Sequence, residues 1–191
     1  METGKSSTRR LRIFLRDFRM VEATVSLAEG QALAPYFSHR KSYVNLREAR
    51  WVGTGDDVSH AVLKVQQVLW AAAPDGDIQL TNASVAPKAR EVEIQLDGGL
   101  LVQGGLIMSE QQRLSDYLET AGPFIPMLTA RLLRSGRPPR KVNMELGDVV
   151  LNQECIQAVW ELAGQNRAMA ALAEASSSPE ETPSEEVFRG A

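Results

Sequence analysis

The chain has 191 residues, a formal net charge of −3, and 43% hydrophobic against 24% charged residues. That is room for one ordinary domain or two small ones, and the composition excludes wholesale disorder. No apolar run reaches the ~18 residues that cross a bilayer, and the first ten residues lack the apolar stretch of a signal peptide, so a cytoplasmic location is expected.

Residues 1–9 read as a flexible N-terminus. From there Leu11, Ile13 and Leu15 alternate with polar residues, a turn falls near Arg16-Asp17, and the chain returns through Val21, Ala23, Val25 and Leu27. Period-two alternation marks half-buried strands, here a β-hairpin. Leu33, Tyr36 and Phe37 then take helical spacing, with Pro35 shortening or kinking the helix. A strand over Tyr43–Val52 follows, and a last pair, Ala61–Lys64 and Val68–Trp70, flanks the polar turn at Gln66-Gln67. Residues 74–90 are rich in turn formers and read as a linker.

The same succession then recurs. Val92, Ile94 and Leu96 lead to Asp97-Gly98, which tolerates the positive φ of a tight turn, and Leu100, Val102, Gly104, Leu106 and Met108 return. Ser109-Glu110-Gln111-Gln112 reads as a capping box before a helix carrying Leu114, Tyr117 and Leu118, which Gly122-Pro123 stops. Phe124–Leu133 forms a strand, and Val149–Leu151 and Ile156–Trp160 flank the polar turn Asn152-Gln153-Glu154. Residues 163–175 are alanine-rich and helix-prone, and 176–191 read as a disordered acidic tail ending in a short candidate docking motif, Glu186–Arg189.

The recurrence is exact enough to count. A shift of 81 positions aligns residues 10–51 with 91–132 without a gap, and nine positions are identical, among them Ile13 and Ile94, Val21 and Val102, Tyr36 and Tyr117, Arg50 and Arg131. Chance at ~5% per position gives about two. After a seven-residue expansion the match resumes at a shift of 88, where Val62-Leu63 meets Val150-Leu151. The fold expected is mainly β with short helices. It comprises two tandem small barrels at 10–73 and 91–162, each of about five antiparallel strands and one helix, packed together to bury enough apolar area.

The string Glu91-Val-Glu-Ile-Gln-Leu-Asp-Gly-Gly, the return strand Val102-Gln-Gly-Gly-Leu and the closing strand-turn-strand from Val149 to Trp160 resemble the strand order of the Sm-like barrel. Arg113-Leu-Ser-Asp-Tyr-Leu, followed by Phe124-Ile-Pro-Met-Leu-Thr-Ala, is similar to a family of uncharacterised bacterial small-barrel proteins with an R-L-S-D-F/Y-L helix before an F-I-x-L-x-x-A strand. The likeness covers about 70 residues of the second copy; in the first, Ala32-Leu-Ala-Pro-Tyr-Phe lacks the arginine and aspartate. The family implies a fold and no activity. Sm-like barrels commonly bind RNA through an Asp-x-x-x-Asn and a last-turn Arg-Gly, and this chain has neither in place. Arg12 and Arg16 suggest a PilZ-type nucleotide receptor, but its Asn/Asp-x-Ser-x-x-Gly is absent.

Catalysis has little to draw on. Cys155 reads as a small packed residue and cannot form an internal disulfide. His39 and His60 recur in neither copy, and with Cys155 they make too few ligands for an ordinary zinc site, so no cofactor or metal is expected. Asp116 and Glu119 beside Arg113 read as a surface ion pair or cap, and Trp70 and Trp160, each ending a last strand, as core or inter-module packing. No catalytic site emerges and no enzymatic activity is expected. The reading favoured is a protein–protein interaction adaptor in bacterial signalling, polarity or motility, or in a membrane-associated assembly. Its candidate contact residues are Arg113, Asp116 and Tyr117, which retain the family pattern, with the basic residues Arg9, Arg10, Arg12, Arg134, Arg137, Arg140 and Lys141. The alternative is a nucleic-acid-binding regulator using the basic clusters 9–19 and 131–141, against which stands the reading of these charges as solvated strand edges and a polar loop.

Overall fold

A computed structural model describes residues 6–39, 42–74, 89–109, 111–135 and 140–162. Residues 1–5, most of the expected linker, Arg137, and the expected C-terminal helix and tail lie outside the described residues. Up to Glu161 the chain forms one compact unit.

The first half supplies β1 (Ser6–Leu15), β2 (Met20–Ala28), the short helix α1 (Leu33–Ser38), β3 (Tyr43–Val52), β4 (Asp57–Lys64) and β5 (Val68–Ala72). The second supplies β6 (Ala89–Leu96), β7 (Leu100–Ile107), α2 (Leu114–Thr120), β8 (Phe124–Ser135), β9 (Arg140–Asn152) and β10 (Ile156–Glu161). Single 3-10 turns at Val65–Gln67, Asp97–Gly99 and Gln153–Cys155 carry the tight connections. Each strand of the two leading hairpins buries alternate residues, Leu11, Ile13 and Leu15 in β1 and Val92, Ile94 and Leu96 in β6, as a pleated strand with one covered face must.

All pairings are antiparallel, and the ten strands make a single open sheet in the order β10-β6-β7-β8-β9-β5-β1-β2-β3-β4. The expected mainly β, antiparallel architecture with short helices is present, arranged as one continuous sheet. β5 pairs with β1 on one side and with β9 on the other, so the halves join edge to edge. Within each half the order is the same, last strand, first, second, third, fourth.

The register repeats as well. Ile13 faces Val21 as Ile94 faces Val102, Val21 faces Trp51 as Val102 faces Leu132, and Leu46 faces Ala61 as Met127 faces Val149. The irregularity that shifts Leu15 onto Val68 returns where Leu96 meets Ile156. Even backbone strain repeats at the sequence shift. Phe18 (φ 65°) matches Gly99 (φ 76°), and Glu48 (φ 50°) matches Thr129 (φ 48°).

Three local expectations are revised. β1 begins at Ser6, inside the stretch expected to be loose, because Ser6–Arg9 pair with Val25–Ala28. No capping box forms at Ser109, since α2 starts at Leu114 with Arg113 as an uncapped N-cap residue, and Ser109 contributes only its carbonyl to a turn with the Gln112 amide. The basic stretch expected as a loop is a strand arm. Arg134 lies opposite Lys141 and Ser135 opposite Arg140 in the β8–β9 hairpin, where the backbone ladder holds strands whose side chains from Arg140 to Glu145 are exposed.

Two apolar clusters form, one per half, and each borrows from the other. Phe124 and Val150 of the second half sit in the first cluster, and Leu69, Trp70 and Ala72 of the first half sit in the second. Among the described residues, no helix is long and apolar enough to cross a membrane.

Candidate functional site

The β9–β5 joint shows what an outer strand of this fold accepts. Trp70 faces Leu151, Ala71 faces Val150 and Ala72 faces Val149. Val150 projects from β9 into the first cluster and is 0% exposed. Phe124 follows it and stacks on Phe37 of α1 at 5.0 Å between ring centroids. In the other direction Trp70 enters the second cluster and stacks on Phe14 at 5.4 Å. Trp70 is thus inter-module packing, as expected. Trp160 is not its equivalent, because the register places Trp160 opposite Glu93 as Ala72 lies opposite Arg12.

Polar groups close the joint. Asn152, the one buried polar residue among the described residues, donates from Nδ2 to the Val68 carbonyl at 2.9 Å and accepts the Glu154 amide at 3.1 Å. The turn of the first hairpin also reaches the second half. Arg16 donates from Nε to Cys155 Sγ at 3.1 Å and pairs with Asp97 at 3.3 Å. Burial pushes the Cys155 thiol above its ordinary pKa, and the Arg16 guanidinium only partly offsets this, so the group is held as a neutral thiol. A buried neutral thiol is a packed residue and a poor nucleophile. A groove of about 260 Å³ runs along the joint between Phe37, Val65, Pro123 and Phe124.

The sheet's two ends lack this cover among the described residues. β4 and β10 each have a strand on one side only. Beside the outer edge of β4, Tyr43 and Val62 are each 58% exposed, more than any other large hydrophobic residue described. On β10, Trp160 is 39% exposed and its indole N–H donates to Glu93 at 2.9 Å. Edge strands are commonly shielded by charge or bulges. Here the exposed side chains include two aromatics and a valine.

The residues chosen from the sequence do not gather into one site. Arg113 and Asp116 are exposed at the start of α2, where Asp116 accepts Ser115 Oγ at 3.1 Å, and no ion pair joins it to Arg113. Tyr117 is half-buried against the second cluster, and burial raises its phenol pKa. Arg10 and Arg12 both bind Glu22, at 2.9 and 3.1 Å. Burial opposes ionisation of Glu22, but the hydrogen bonds from the two arginines outweigh it and hold its carboxyl below the usual value. Arg9 is half-buried on the same strand and donates to the Thr8 carbonyl. Arg134, Arg140 and Lys141 are exposed on the β8–β9 arm, and Arg137 lies outside the described residues. Tyr43 and Val62 were missed. The sequence signal for them was their alignment with Phe124 and Val150, and alignment does not tell which copy is covered.

No family model, curated protein or solved structure matches the chain significantly.

Proposed function

We propose that the chain is a non-enzymatic protein-interaction adaptor made of two Sm-like modules, residues 10–73 and 91–162, that take a protein partner by strand addition at the outer edges of β4 and β10. The recurring order of last, first, second, third and fourth strand supports the Sm-like reading. The observation that carries the docking reading is the exposure of Tyr43 and Val62 beside a strand edge that has no neighbour among the described residues. An added strand gains main-chain hydrogen bonds from the edge and specificity from alternate side chains, and an apolar patch at that edge adds buried area. Glu22 offsets one of the two charges of Arg10 and Arg12, which weighs against nucleic-acid binding by lowering the excess cation available to release counterions from a phosphate backbone.

A photo-crosslinking amino acid in place of Tyr43, in the full chain in native extract, tests this. The expected result is protein adducts of discrete mass that disappear when Val62→Lys is added. Crosslinking to nucleic acid with no protein adduct overturns it.

A further inference from the structure

The geometry points to a second copy of this chain as the occupant of these edges. β4 of one copy pairs antiparallel with β10 of the next, in the register of the internal β9–β5 joint. The inference rests on the edge-docking reading and names its partner.

β9 is the fourth strand of its half and β5 the fifth of its own, so the chain already contains one fourth-to-fifth strand joint. Among the described residues, the strands left with one neighbour are the other fourth strand, β4, and the other fifth strand, β10. A surface and its complement therefore lie at opposite ends of one sheet.

The exposed residues are those that such a joint would cover. Among the described residues, the buried members of the first half's cluster that come from the second half are Phe124 and Val150, 3% and 0% exposed, with Leu128 packed against it. The counterparts of Phe124 and Val150 at shifts of 81 and 88 are Tyr43 and Val62, the two most exposed large hydrophobic residues described. The fifth strands correspond too. Trp70 and Ala72 enter the neighbouring cluster from β5, and β10 carries the same two residue types in reverse order on the same face, Ala158 and Trp160. The transferred register puts Trp160 opposite Ala61, a large residue against a small one, and Val159 opposite Val62.

Polar complementarity follows the same rule. Asn152 donates to the Val68 carbonyl across the internal joint, and the counterparts are Lys64, also a donor, and the Ile156 carbonyl. Arg16 pairs with Asp97 across that joint from equivalent turns of the two halves. Repeating the joint between copies brings Asp97 of one copy to Arg16 of the next, again opposite in sign. The contact is head-to-tail, so each addition exposes a fresh β4 and a fresh β10. Such a contact closes into a ring or runs on as a fibre, depending on the rotation per step.

Sedimentation velocity on the full chain over a wide concentration range tests the inference. The expected result is reversible assembly beyond two copies. Val62→Lys, with β10 intact, and Trp160→Lys, with β4 intact and a cation placed beside Glu93, are each expected to remain single copies with an unchanged circular dichroism spectrum. Mixed in equal amounts they should give a one-to-one dimer, because one good β4 then meets one good β10. A dimer of either variant alone means a symmetric β10–β10 or β4–β4 contact and overturns the inference, as does a mixture that stays monomeric. If the unmodified chain stays a single copy throughout while protein adducts at position 43 persist, self-pairing is wrong and edge docking of a different protein stands. If both fail, the edges are not docking sites.

Discussion

Val150→Ala isolates the internal joint, because Val150 leaves its own half to fill the other half's core. The substitution removes two buried carbon groups, worth ~0.8 kcal/mol each in transfer, and a partly relaxed cavity adds about 1 kcal/mol, for about 2 to 3 kcal/mol in all. The matched control is Val62→Ala, the same change at the equivalent position of β4, where the side chain is 58% exposed. At high dilution, where chains are separate, that control should cost less than about 0.5 kcal/mol. Urea unfolding followed by fluorescence reads both. With a slope of ~2 kcal/mol/M for a unit of this size, Val150→Ala moves the midpoint down by about 1 M and Val62→Ala leaves it nearly unmoved. One transition is expected in each case, since each cluster contains residues of both halves. Equal effects of the two substitutions, or a Val150→Ala loss below about 0.5 kcal/mol, would refute the claim that the joint is a continuous core.

Asn152→Ala removes the amide donor from the Val68 carbonyl, leaving it only the weak Cys155 thiol at 3.8 Å among the side-chain donors described, and takes the acceptor from the Glu154 amide, so a loss of about 2 kcal/mol is expected by chemical denaturation, whereas Lys64→Ala at the equivalent place should cost under about 0.5 kcal/mol. Gly98 sits at φ +75°, and a Cβ there would overlap the Phe18 ring. Gly98→Ala should therefore cost more than the ~1 kcal/mol of backbone strain alone, and adding Phe18→Ala should recover the steric part in a double-mutant cycle. Glu22 has a folded pKa below its ordinary value, so its contribution is present above the unfolded pKa and lost as pH falls through the folded one. The slope of thermal stability against pH on that acid limb should flatten in Glu22→Gln. At neutral pH the same variant should lose no more than about 1 kcal/mol, because the two arginines are largely in solvent.

The strands were legible because alternation fixes which face a side chain takes, and the repeat was legible because the identities fall mostly on inward positions such as Ile13, Val21, Leu33 and Ala49, all buried. Ser109 misled because a capping box is a local pattern that tertiary packing can decline to use, and here the chain continues to Arg113 before turning helical. In β9 Val142, Met144 and Leu146 do alternate with polar residues, but the basic residues around them point to a loop, and because the side chains from Arg140 to Glu145 are all exposed no buried face marks the strand. Basic residues drew attention as a candidate surface because their carboxylate partners lie far off in sequence, Glu22 ten to twelve residues from Arg12 and Arg10.

The joint was hidden for a more general reason. Val62-Leu63 and Val150-Leu151 are the same dipeptide on the same strand of each half, yet one valine is exposed and the other fully buried. Nothing local to either copy distinguishes them, since edge pairing depends on which strand arrives at that edge from elsewhere in the chain. A duplicated module with complementary outer strands can satisfy one such pair within the chain and must leave the other. The unmatched pair then has to be shielded, filled by a different protein or filled by another copy. In this chain the shielding is incomplete at Tyr43, Val62 and Trp160, and the register of the filled joint supplies a residue-by-residue expectation for the vacant one.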